Sequence, residues 1–374
     1  MNRRELDSAF LHREAGAALT VRLAPLRANY RKVLDRTRVS ASPVLKADAY
    51  GLGLAPIARA LLEAGADSFF VARVEEGIAL RLAARDARIF VLDGLRPGTA
   101  AALEAHALTP VLNSADEIAE WSELASLRKT RLAAAIQIDT GLNRSGLSRE
   151  DLSSIVAPPR EKLRHIDTVL YMSHLACADE PAHPMNRAQL ERFRAALAML
   201  PPAPASLAAS DGIELGSAYR FDMVRPGLAL YGAHGVKGAA NPYAAVASLT
   251  APILQLRRVA KGETVGYGAA FTVSRDTVIA IVAAGYADGL MRALGERGRA
   301  VVGGAHVPFA GRVSMDLVCL DVTDADTSSL IPGSEVEFLG ANLPLSDVAA
   351  ASGTVAHEVL IAVNRRARRI YADS

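Results

Sequence analysis

Cysteine is nearly missing from this chain: its 374 residues hold two, Cys177 and Cys319. A pair so far apart builds neither a disulfide framework nor a zinc-binding set, which fits a reducing, cytoplasmic setting. Excess charge is missing too. Lys and Arg number 42 against 40 Asp and Glu, a formal net charge of +2. The basic residues are scattered, which argues against nucleic acid as the main partner. The one dense basic run is RRARR, residues 365–369, the kind of stretch that is usually a solvated helix face or a subunit contact. No apolar run approaches the ~18 residues that span a bilayer, so no membrane partner is expected. The first residues, MNRRELDSAFLHRE, carry charges but no apolar core, unlike a secretory signal. No G-x-G-x-x-G follows the first apolar run, which weakens a dinucleotide-binding reading.

What is there is a globular α/β pattern. Apolar residues make up 51% and charged residues 22%, and the length exceeds what one ordinary core serves. Eight apolar segments are candidate strands: 39–46, 67–73, 88–94, 108–114, 132–141, 167–176, 204–210 and 226–232. Helical patterns lie between most of them, and Asn113, Ser114 and Asp116 offer caps for one. The count and size predict a parallel (β/α)8 barrel, with an open doubly wound sheet as the alternative. After residue 245 the texture changes to β-rich segments separated by Gly and Pro. The expected organisation is an N-terminal arm over 1–16, the barrel over 17–245 and a mainly β domain over 246–374.

In a barrel, chemistry collects where strands end. Lys46 closes the first candidate strand, in VLKADAYGLG. A lysine is costly to bury, and one desolvated at a strand end is a candidate nucleophile or base; otherwise it is a surface lysine. IDTGLNRSG ends the fifth strand with Asp139, Asn143 and Arg144; Ser173 and His174 end the sixth; Ser210 ends the seventh. Arg225 and Gly227, in MVRPG, precede the last apolar run. That places them at the wrong rim, unless a short strand ends near Val224 or the eighth strand is misassigned.

The motifs VLKADAYGLG, IDTGLNRSG, MSHLACADE, MVRPGLALYG, VGYGAAF, AAGYADG and GRVSMD, in this order, resemble the alanine racemase family over roughly residues 17–371. The resemblance implies a pyridoxal 5'-phosphate enzyme that interconverts L- and D-alanine with two bases. It implies that Lys46 carries the cofactor and is one base. Tyr267 is then the second base, reaching the site from the other subunit of a head-to-tail homodimer. Tyr50, Ser210, Gly227 and Leu228 would hold the phosphate, His174 would contact the pyridine ring, and Arg225 would face its nitrogen. Arg144 would bind the substrate carboxylate, and Met315 and Tyr286 would bound the substrate entrance. No metal is implied.

Two departures stand out. Many family members carry a lysine, often carbamylated, seven residues before the carboxylate-binding arginine; this chain has Gln137, whose amide oxygen could accept from Arg144. Where some members place a phosphate-contacting tyrosine, Arg365 aligns. Amino-acid decarboxylases share the two-domain plan, but their glycine-rich phosphate segment has no counterpart in GAANPYAA. A non-catalytic cofactor-binding barrel would lack the β domain. Substrate breadth (serine, for instance) and a role in peptidoglycan supply or alanine breakdown stay open at this stage.

Overall fold

A computed structural model describes residues 16–157, 163–363 and 366–373. The first strand, β1 (Ala18–Arg22), does not enter the barrel. It runs antiparallel to Ala247–Val259 and parallel to Arg368–Ala372, so the β unit draws a strand from near the N-terminus. The expected barrel start at residue 17 is corrected accordingly: the barrel begins with helix Leu23–Thr37.

The barrel strands are β2 (Ser40–Ala41), β3 (Ser68–Val71), β4 (Arg88–Val91), β5 (Leu108–Leu112), β6 (Leu132–Gln137), β7 (Ile166–Met172), β8 (Ala205–Ser206) and β9 (Met223–Val224). From β3 to β8 each pairs in parallel with the next. The ring closes through β2 on β9 and through bridges Val44–Phe70 and Ala209–Arg225. β2 is short because Pro43 has no N–H to give the ladder; its carbonyl still accepts from Phe70 N at 2.8 Å. Strands such as β3 are buried at every position, as parallel strands under helices must be. Of the three candidate caps, Ser114 serves: its side chain accepts from Glu117 N at 3.1 Å.

The eighth strand expected at 226–232 is not a strand. Leu228–Tyr231 is a buried 3-10 turn, and the true last strand is β9. An unbroken apolar run fits a buried strand and a buried short helix equally well, so periodicity could not separate them. Moving the strand back to Val224 puts Arg225 and Gly227 after it, at the rim with the other strand ends.

The β unit is built on β10 (Ala247–Val259), which pairs with β1 and with two later strands. A small hairpin, β11 (Thr264–Val265) with β12 (Phe271–Thr272), projects from it. β13 (Thr277–Val282), β14 (Arg299–Val302), β15 (Ala305–Pro308), β16 (Val318–Asp321), β17 (Glu335–Leu339) and β18 (Arg368–Ala372) complete the sheet. Helices Leu345–Ser352 and Ala356–Ala362 precede β18.

Candidate functional site

Lys46 opens a turn of unusual backbone. Ala47, Asp48, Ala49 and Tyr50 all have φ between 54° and 57°. Left-handed geometry costs L-residues roughly 1–2 kcal/mol each, so such a run persists only where its surroundings enforce it. Here Glu76 Oε1 accepts from Ala47 N at 2.7 Å and Asp48 Oδ1 from Leu54 N at 2.7 Å. Arg369 donates to Asp48 Oδ2 at 2.6 Å, and Tyr371 Oη donates to Leu52 O at 3.0 Å. The result aims Lys46 outward at the rim. Lys46 is exposed as a residue in the single chain, yet desolvation by the protein around it, and then the charge of Arg144, lower its pKa; Glu76 and Asp93 pull the other way.

Behind it lies a cradle. Tyr50 is buried, its ring 4.7 Å from that of Tyr231 and 5.6 Å from that of His357. Burial pushes its phenol pKa up. A Cβ on Gly227 would stand 2.3 Å from Tyr50 Oη, so a larger residue there would have to push the phenol aside. Ser210 Oγ accepts from Gly227 N at 3.0 Å and Ala229 N at 3.1 Å, drawing the amides that flank Leu228 to one point. Both N–H groups are turned to the serine, which leaves its own O–H to donate to an anion.

Arg225 is 3% exposed and makes no ion pair among the described residues. Its guanidinium donates to Ser206 O at 2.9 Å, Ser206 Oγ at 2.6 Å and Ser173 O at 2.5 Å, and lies 6.0 Å from the Phe70 ring centroid. Desolvation lowers its pKa to about 10, so it is still charged at neutral pH. His174 is pushed down to about 3, by desolvation first and then by Arg225, Arg144 and Lys46. It is therefore a neutral imidazole beside three cations.

Arg144 sits exposed in the loop after β6, without a hydrogen bond or ion pair among the described residues. Asp139 shapes that loop, its Oδ1 accepting from Gly141 N, Leu142 N and Asn143 N within 3.1 Å. The suggested contact from Arg144 to Gln137 is not made. Gln137 instead donates its amide to Ser145 O at 3.0 Å and Ser145 Oγ at 2.7 Å. It fixes the loop, and the guanidinium is left unpartnered.

Lys46, Tyr50, Arg144, His174, Ser210, Arg225, Gly227 and Leu228 thus share one rim. Tyr267, Met315 and Tyr286 belong to the β unit. Tyr267 lies between β11 and β12 and is 71% exposed; Met315 is 53% exposed. Tyr286 N donates to Ser314 O and Ala287 N to Met315 O, both at 3.0 Å, so these two entrance candidates lie on paired loops. Arg365 falls outside the described residues. His357, brought against Tyr50 by the β unit's last helix, escaped the sequence reading; no local motif marks it.

Two family models match: alanine racemase N-terminal domain over residues 21–235 and alanine racemase C-terminal domain over 246–371. A catabolic alanine racemase of Agrobacterium fabrum is 45% identical over 96% of this chain and 92% of its own. An alanine racemase of Rhizobium meliloti is 44% identical over 96% and 97%. The crystal structure of alanine racemase from Bartonella henselae, with covalently bound pyridoxal phosphate, superposes with a TM-score of 0.92 at 35% identity, covering 96% and 100%. With both domains matched in order, and a rim of cations around one lysine to go with them, this chain belongs to the alanine racemase family.

Proposed function

We propose that this chain interconverts L- and D-alanine, using bound pyridoxal 5'-phosphate and two bases contributed by two copies of the chain. The observation that carries the reading is the charge layout of the rim: Lys46 and a neutral His174 between Arg144 and a buried, carboxylate-free Arg225. The cofactor fits this donor set. Its phosphate suits the Ser210, Gly227 and Tyr50 cradle, and an unprotonated ring nitrogen suits a guanidinium that stays charged. When bound, it supplies the electron-withdrawing ring that acidifies the substrate's α-hydrogen.

The chain's own residues do the rest. Lys46 takes or returns the α-proton on one face. Arg144, unpaired in the free chain, offers its planar fork to the substrate carboxylate. Arg225, which stays charged, would face the ring nitrogen of the bound cofactor, and that would favour return of the proton to the α-carbon over amino-group transfer. Tyr267 acts on the opposite face from a partner chain. Its exposure, on a hairpin of the β unit and not on the barrel, supports a head-to-tail homodimer in which each β unit caps the other barrel. Tyr286 and Met315 then narrow that partner's entrance. The two free cysteines support a cytoplasmic setting, and no described helix is long and apolar enough to cross a membrane.

The test is exchange of the α-hydrogen of L-alanine in heavy water, together with the rotation of the product, over a panel that includes serine. Racemisation with exchange supports the reading. Carbon dioxide release would mean a decarboxylase, and neither would mean a carrier. Borohydride trapping should label the peptide holding Lys46 and no other.

A further inference from the structure

The RRARR run plays no part in the chemistry proposed above. Two of its described arginines, Arg366 and Arg369, nevertheless reach two places that matter. Arg366 clasps Asp288, with Nε to Oδ1 at 2.9 Å and one terminal nitrogen to Oδ2 at 2.8 Å, while the other reaches Asp316 Oδ1 at 2.5 Å. Asp288 is buried and also accepts from Gly285 N at 2.9 Å. Asp288 and Asp316 belong to the loops that carry Tyr286 and Met315. Those loops press together so closely that a Cβ on Gly285 would stand 2.2 Å from Met315 O. Three residues on, Arg369 pairs with Asp48 inside the left-handed turn. Two residues further, Tyr371 donates to Leu52 O, and a Cβ on Gly53 would overlap its hydroxyl. Between these contacts Ala367 is buried, and β18 is pinned in register along β1.

We propose that the segment Arg366–Tyr371 is a positioning bracket, holding from one strand both the turn that carries Lys46 and the paired loops that carry Tyr286 and Met315. In the dimer those loops close the partner's barrel, so the bracket ties the geometry of one site to the entrance of the other. The role rests on the assignment of Lys46, Tyr286 and Met315 made above. The two ends differ in strength. The Asp288 clasp is desolvated on one side, whereas Arg369 and Asp48 are 33% and 43% exposed, where ion pairs are weak.

Amide hydrogen exchange and kinetics on the full-length protein test this. Arg366→Met should speed exchange in 285–289 and 314–316 about tenfold and leave 47–53 unchanged; KM should rise about tenfold with kcat held within about twofold. Asp316→Asn leaves the buried carboxylate paired and covers the case where Arg366→Met fails to fold; about threefold shifts in the same direction are expected. Arg369→Met and Tyr371→Phe should do the reverse. They should loosen 47–53 and release pyridoxal phosphate about threefold faster, with KM unchanged. Arg366→Lys, which keeps the charge but loses the fork, should fall between wild type and Arg366→Met. Uniformly faster exchange throughout the protein, or loosened loops with unchanged KM and cofactor release, would overturn the bracket. Failure of the site assignment would instead show in the unsubstituted protein, as borohydride label away from Lys46.

Discussion

Replacing His174 by Gln should remove a pH-dependent loss of stability from the cofactor-free protein. The imidazole titrates at 6.5 when free and at about 3 in the fold. Because the folded value is the lower one, unfolding takes up a proton. The stability linked to this group is therefore fully present above 6.5 and drains away as the pH falls toward 3. At pH 7 the linkage costs about 0.2 kcal/mol, and at pH 5 about 2 kcal/mol. A folded value nearer 4 would change the latter by less than about 0.1 kcal/mol, since pH 5 lies above both. Urea unfolding of wild type and His174→Gln at pH 7 and pH 5 gives a double difference that cancels other titrating groups. The wild type should lose about 2 kcal/mol more than the variant over this interval. Equal losses would mean that His174 titrates freely, and that it is not walled in beside Lys46, Arg144 and Arg225.

Ala47→Gly should stabilise the protein: it relieves a left-handed residue worth ~1–2 kcal/mol against a glycine entropy cost of ~0.5–1 kcal/mol. The melting temperature should rise by about 1–3 °C; a fall would contradict the turn's geometry. Since Gln137 cannot be carbamylated and is engaged with Ser145, stripping bicarbonate should leave activity unchanged. Arg144→Lys should still lose at least roughly tenfold in kcat/KM, because the fork is gone; bicarbonate-dependent activity would refute this. Arg225→Glu should raise pyruvate formed per racemisation event. It should also cost roughly 3 kcal/mol or more in stability, because the carbonyls of Ser173 and Ser206 lose their donor. An unchanged product ratio would place Arg225 away from the ring.

The barrel was legible because its central strands are short apolar runs between helical patterns, a signature that parallel sheets force on sequence. Its end was not. Leu228–Tyr231 is as apolar as a strand, and what makes it a turn, its own Leu230 N to Gly227 O bond and the binding of the Gly227 and Ala229 amides by Ser210, leaves no mark in the apolar pattern. β1 was hidden for a different reason: its partners lie more than two hundred residues away, and nothing local says which sheet a strand joins. Arg144, His174 and Ser210 could be read because each follows a strand end, whereas Arg225 and Gly227 fell on the wrong side of a misplaced one. Gln137 was legible as a departure, but not its partner, since Ser145 and Arg144 are adjacent and equally plausible acceptor or donor. His357 and the Arg366 clasp depend on how the β unit sits against the barrel, and no spacing in the sequence encodes that.

Mixing two inactive variants puts the shared site to the most direct test. Lys46→Ala and Tyr267→Phe homodimers should each be nearly inert. Unfolded together and refolded, about half the dimers are mixed. In a mixed dimer one site carries both lesions, while the other joins an intact Lys46 to an intact Tyr267 from its partner. About a quarter of wild-type activity should return. If mass analysis confirms mixed dimers and no activity returns, Tyr267 serves its own chain or none, and the two-chain site is wrong.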